Sequence, residues 1–116
     1  MIALALALIL AQSPQPAPAP IAPQPQGKQL FAKAKCIKCH GEDGKGDTEK
    51  GHELHAPDFT SADFQKETTD QEMVSGITKG VKDKKKKVLM PGYRNKLSQE
   101  DIQVLVRYVR SLGGNR

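Results

Sequence analysis

Cys36-Ile37-Lys38-Cys39-His40 constrains this chain more than any other stretch. Two thiols three residues apart can each bond the same flat ligand, and the next residue is then held beneath its centre. C-x-x-C-H is the attachment signature of a c-type haem. Each cysteine reaches one vinyl group of the porphyrin and forms a thioether, and the His40 imidazole stands where it can ligate the iron. Both cysteines of the chain lie inside the motif. Cys36 and Cys39 are therefore the candidate covalent anchors, and His40 the candidate proximal ligand, of one haem c and its iron.

Other uses of a C-x-x-C pair compete. A zinc site wants four ligands, commonly two such pairs, and His52 and His55 are the only spare histidines. A thioredoxin-like pair follows a buried strand at a helix N-terminus, whereas Gln29 to Lys35 has the composition of a helix. A disulfide across so few residues closes too short a loop to gain much stability.

The length of 116 residues bounds the chain to one small domain. Only 37% of it is hydrophobic and 4% aromatic, with no Trp, so its own core is thin. A large apolar macrocycle would supply the missing interior. Ile2 to Ala11 is an unbroken apolar run. It is too short for a bilayer span, which takes about 20 apolar residues, and fits the core of a secretory signal, although the basic residues that usually precede one are missing. Ser13 to Gln26 holds most of the chain's prolines. It favours polyproline II, a semi-rigid tether of roughly 40 Å. The expected organisation is a signal-like segment over 1–12, a Pro-rich linker over 13–26 and a folded domain over 27–116. Export agrees with c-type haem attachment, which takes place outside the cytoplasm. The expected location is periplasmic or extracytoplasmic, free or tethered to a membrane through the N-terminal segment.

Within the domain, a first helix is expected from about Gly27, with Leu30, Phe31 and Ala34 on one side. Glu42 to Glu53 is polar and glycine-rich and reads as loop. The apolar members of Leu54 to Phe59 are candidates for the haem wall, and a short helix is expected around Ser61 to Phe64. Thr69-Asp70-Gln71-Glu72 is a capping box that opens a helix carrying Met73, Val74 and Ile77, with Gly80 suited to its left-handed end. Lys82 to Lys87 is a basic run, and Val88 to Tyr93 is apolar and interrupted by Pro91. The last helix is the clearest. Ser98 is its N-cap, Asp101 stands at N3, and Leu97 with Ile102 forms a hydrophobic staple. Ile102, Leu105, Val106, Val109 and Leu112 make its apolar face, Arg107 and Arg110 suit its negative end, and Gly113 closes it. No strand pattern is present, so the expected fold is all-α, three to four helices around one haem.

A six-coordinate iron needs a second ligand, and Met73, Met90, His52 and His55 are the choices. Met73 lies in helical step with Ile77, the usual position of a core residue. His52 and His55 fall in a polar loop and would give a bis-His site. Met90 sits on an irregular apolar segment fixed by Pro91 and is the favoured ligand. A thioether there raises the reduction potential above that of bis-His ligation.

In this order and spacing, Cys36-Ile37-Lys38-Cys39-His40-Gly41, Ala56-Pro57-Asp58-Phe59, Met90-Pro91-Gly92-Tyr93 and Leu97 to Ile102 running into Val106 to Arg110 resemble a class I cytochrome c. The resemblance covers residues 27 to 116. It implies that the first and last helices cross where Gly27 and Phe31 meet Tyr108. It also implies that the Pro57 carbonyl accepts the Nδ1 proton of His40 and fixes its tautomer. The chain departs from the family at its N-terminus.

The expected function is that of a monohaem cytochrome carrying single electrons between extracytoplasmic redox partners, not an enzyme. The formal net charge of +5 and the lysines Lys84 to Lys87 point to partners with acidic docking surfaces. Nucleic acid does not suit an exported chain. Two other classes stay open: a haem enzyme or ligand sensor with an open distal site, and the cytochrome subunit of a larger oxidase or dehydrogenase.

Overall fold

The computed structural model describes residues 25–114; the signal-like segment and most of the Pro-rich linker lie outside the described residues. Six helices and one small hairpin follow in chain order. They are α1 (Pro25–Lys33), α2 (Ile37–His40), α3 (Glu49–Leu54), α4 (Ala62–Glu67), α5 (Asp70–Lys79), β1 (Val81–Lys82), β2 (Val88–Met90) and α6 (Gln99–Leu112). The fold is the small, mostly helical one that was expected, with more helices than three or four. The first helix takes in Pro25 and Gln26, two residues counted above with the linker.

α6 is the spine. Its capping box is complete: the Ser98 hydroxyl accepts from the Asp101 N–H, and the Asp101 carboxylate accepts from the Ser98 N–H. The face it buries carries Ile102, Leu105, Val106 and Val109, and Leu105 is only 2% exposed. Tyr108 and Ser111 are buried as well. α1 crosses this face. A Cβ built on Gly27 would stand 2.6 Å from the Tyr108 Cβ, so only glycine permits the approach. One turn on, the Phe31 and Tyr108 rings lie 5.2 Å apart. The crossing implied by the resemblance is therefore made by the residues named for it. α5 packs on the same helix, with Met73 buried in the shared core, and its capping box through Thr69 and Glu72 is formed.

Three expectations are corrected. The last part of the glycine-rich stretch, from Glu49 on, is helix: α3 is capped by Thr48, whose hydroxyl accepts from the Gly51 N–H at 2.8 Å and donates to the Cys39 carbonyl at 2.7 Å. That long-range bond and the burial of Gly51 offset the poor helix propensity of glycine. Second, Val81–Lys82 and Val88–Met90 pair as an antiparallel hairpin. Such short strands leave no alternating pattern, and their pairing depends on the turn between them. Third, both helix-ending glycines differ in detail. Gly80 has φ +83° with extended ψ, not a left-handed helical one. Gly113 remains right-handed, and Gly114 takes the positive φ.

Candidate functional site

The cysteines and His40 are set by one break in the helix path. Lys35 adopts φ +65° and ends α1. The chain then restarts as the single turn α2, closed by the His40 N–H to the Cys36 carbonyl at 2.9 Å. Residues three apart in such a turn share a face, so Cys36 and Cys39 point the same way. Both are free thiols and half-buried, so the disulfide alternative is not formed. Burial pushes the Cys36 thiol up to about 11, with a smaller contribution from neighbouring Cys39.

The His40 side chain is buried. Its ring stacks on Phe59 at 4.4 Å and 21°. Burial lowers its pKa to about 4, so at neutral pH the imidazole is uncharged and keeps a lone pair for a metal. Its Nδ1 is buried and has no hydrogen-bond partner. The bond to Pro57 implied by the resemblance is thus not formed in this arrangement. The ring lies against Phe59, and the Pro57 carbonyl oxygen lies against Gly46 instead.

A cavity of about 280 Å³ opens beside these groups. Cys36, Cys39, His40 and Pro57 line it. So do Met90, Leu89 and Val81 of the hairpin and Met73 and Ile77 of α5. Phe31, Leu105 and Val109 close it towards the core. All five site residues expected from the sequence therefore share one largely apolar cavity. The other ligand candidates separate. Met73 is a buried core residue that also reaches the cavity wall. His52 is exposed, does not line the cavity, and pairs with Asp47 at 2.6 Å. His55 lies at the cavity rim, exposed and with φ +58°. Among the described residues, no group of three or more His, Cys, Asp or Glu is placed to hold a metal ion.

Three further side chains shape this site through bonds that the sequence reading does not anticipate. Thr48 binds the carbonyl of Cys39. Tyr93 donates its hydroxyl to the Ala34 carbonyl at 3.1 Å. Arg110 of α6 holds the C-terminal end of α4, with donors to the Gln65 and Thr68 carbonyls, each at 2.6 Å. The partners lie nine residues apart for Thr48 and more than forty for Tyr93 and Arg110, where helical periodicity carries no signal.

The residues fit a covalently bound iron porphyrin. Two thiols share a turn, an uncharged buried imidazole follows them, a thioether faces the same cavity, and the walls are apolar.

Comparison with known proteins agrees. The Cytochrome c family model matches residues 25–113. The FixP subunit of cbb3-type cytochrome c oxidase from Rhizobium meliloti is 34% identical over 89 residues, which are 77% of this chain and 27% of that one. FixP of Bradyrhizobium diazoefficiens is 29% identical over 91 residues, 28% of its length. The chain thus spans under a third of the curated relatives that it matches. Among solved structures, the KustC0563 c-type cytochrome is 31% identical with a TM-score of 0.64, covering 74% of this chain and 95% of that one. A chain of the Kuenenia stuttgartiensis reducing HAO-like protein complex Kustc0457/Kustc0458 is 26% identical with a TM-score of 0.61, covering 88% and 52%. With its fold, its haem-binding motif and its family match all in agreement, the chain belongs to the cytochrome c family: it is a class I c-type cytochrome, an electron-carrying domain with covalently bound haem c and its iron.

Proposed function

We propose that this cytochrome carries single electrons between redox proteins of the periplasm or another extracytoplasmic space, and is not itself an enzyme. The observation that supports the reading is the shared cavity, which Cys36, Cys39, His40 and Met90 all line. Cys36 and Cys39 would anchor the haem, His40 and Met90 would ligate its iron, and the Pro57 carbonyl would accept a hydrogen bond from the His40 Nδ1–H. The bound haem supplies one-electron exchange between ferric and ferrous iron. The chain's own residues fix ligation, exclude water through the apolar wall and tune the potential. The thioether of Met90 favours the ferrous state relative to a second imidazole.

Docking is assigned to the hairpin tip. Lys84 to Lys87 are all exposed, yet the turn that bears them is ordered by Asp83. Its carboxylate accepts from the Lys85 and Lys87 N–H groups at 2.8 and 2.9 Å. The ends of the same hairpin, Val81 and Met90, reach the cavity. A fixed positive cluster beside the site suits encounter with acidic partner surfaces.

The domain boundaries near residues 12 and 26, with export and tethering through the N-terminal segment, belong to the same proposal. Among the described residues no helix is long and apolar enough to cross a membrane. A second reading, a cytochrome domain working inside a larger oxidase or a comparable complex, is favoured by the FixP subunits and by the complex from Kuenenia stuttgartiensis. Intact mass together with oxidised and reduced visible spectra tests attachment, ligation and processing at once. Copurification with a membrane complex separates the free carrier from the subunit.

A further inference from the structure

The two halves of the site are carried by chain segments far apart in sequence. Cys36, Cys39 and His40 follow α1, whereas Met90 ends a strand of only three residues. A two-stranded hairpin of this size does not hold its own position. The segment after Met90 is fixed to α5 by two backbone bonds, the Tyr93 N–H to the Ile77 carbonyl at 2.8 Å and the Arg94 N–H to the Thr78 carbonyl at 3.2 Å. These bonds leave the side facing α1 untied. There the Tyr93 hydroxyl donates to the Ala34 carbonyl at 3.1 Å. It is the one hydrogen bond found among the described residues between the segment 88–97 and the stretch from α1 to α2. Ala34 stands two residues before Cys36, and Tyr93 three after Met90, and the Tyr93 ring itself lines the cavity.

We propose that Tyr93 is a positioning residue for Met90: its hydroxyl latches the ligand-bearing segment onto the stretch that carries the haem anchors, and so holds the thioether at the iron. The inference rests on the assignment of Met90 as second axial ligand. α6 joins α1 and α5 at the back of the cavity, and the latch joins the same two sides at the front. Without it the Met90 segment keeps its bonds to α5 and its pairing with β1 but none to the stretch from α1 to α2, and swings away more often, while the ring is kept.

The test is Tyr93→Phe in the full-length holoprotein, with Met90→Ala and wild type in parallel. Three quantities are read on ferric protein: the sulfur-to-iron charge-transfer band against temperature, the rate of imidazole binding to the iron, and the far-ultraviolet helix signal against temperature. Losing one hydrogen bond should raise the population with Met90 detached roughly 2- to 10-fold. Imidazole binding should accelerate by that factor, and the charge-transfer band should fade well below the temperature at which helix is lost. A Tyr93→Phe protein with wild-type imidazole rates, whose band and helix signal melt together, overturns the latch, even if its overall stability has fallen. A wild type that lacks the band, or a Met90→Ala protein that keeps it, overturns the assignment of Met90, and the latch with it.

Discussion

Arg110 on α6 reaches Asp70 at the start of α5, its Nε donating to the carboxylate at 2.7 Å. The pair is unequal: the arginine side chain is 19% exposed and the aspartate 71%. The more consequential partners are the carbonyls of Gln65 and Thr68. Arg110→Met should cost about 2 to 4 kcal/mol, because two half-buried carbonyls lose a charged donor. Asp70→Asn should cost less than about 1 kcal/mol, as exposed ion pairs do. Chemical denaturation of both variants checks the contrast; equal losses would make the ion pair, not the carbonyls, the source of stability.

Haem attachment is expected to depend on the two cysteines together. Cys36→Ala with Cys39→Ala should yield protein whose haem is extracted by acid solvent, whereas wild type keeps it through denaturation. Haem still crosslinked in the double variant would contradict the assignment of the anchors.

Met90→Ala should abolish the sulfur-to-iron charge-transfer band, lower the reduction potential and open the iron to carbon monoxide and cyanide. His52→Ala should change none of these, since His52 lies off the cavity beside Asp47. His55 is the sharper control because it stands at the rim. A silent Met90→Ala with a responsive His55→Ala would establish bis-His ligation.

Much of the site and of α6 is legible in the sequence. C-x-x-C-H is a local chemical pattern, and α6 repeats its apolar residues over fourteen positions between two recognisable caps. α3 was hidden because Gly51 and its charged neighbours have the composition of a loop, and the bond that settles its start runs from Thr48 to Cys39. The hairpin was hidden because its pairs, Val81 with Met90 and Lys82 with Val88, form only across the lysine turn. The His40 ring was expected to face Pro57, and its stacking on Phe59 is a packing outcome that no spacing encodes.

At the crossing of α1 and α6, Leu105→Ala should cost about 2 to 5 kcal/mol, the range for a buried leucine that leaves a cavity. Gly27→Ala should also destabilise, for the opposite reason: its new methyl has no room against Tyr108. Denaturation midpoints check both. An unchanged midpoint for Gly27→Ala would mean that the helices separate without cost.

Reversing Lys85 and Lys86 to Glu should slow electron transfer to an acidic partner several-fold at low salt. The difference should shrink as ionic strength rises and screening shortens to roughly 8 to 10 Å. The potential should move little, since these charges are solvated. Stopped-flow oxidation by membranes from the source organism, across a salt series, measures it. Wild-type rates at the lowest salt would reduce the turn to a solubility feature.

The contact of Gly27 with Tyr108 also sets how this unit can be wired to others. Gly27 belongs to the first turn of α1, and Tyr108 lies four residues before the last residue of α6. At about 1.5 Å per helical residue, the backbone comes into the fold and goes out of it within roughly a helical turn of the same point. A module with adjacent ends can be strung as a bead between two neighbours, or hung from one, with little disturbance to its interior. The redox fold then stays the same while the architecture around it changes, from a chain that is almost wholly this fold, as in KustC0563, to a segment under a third of the length of the FixP subunits.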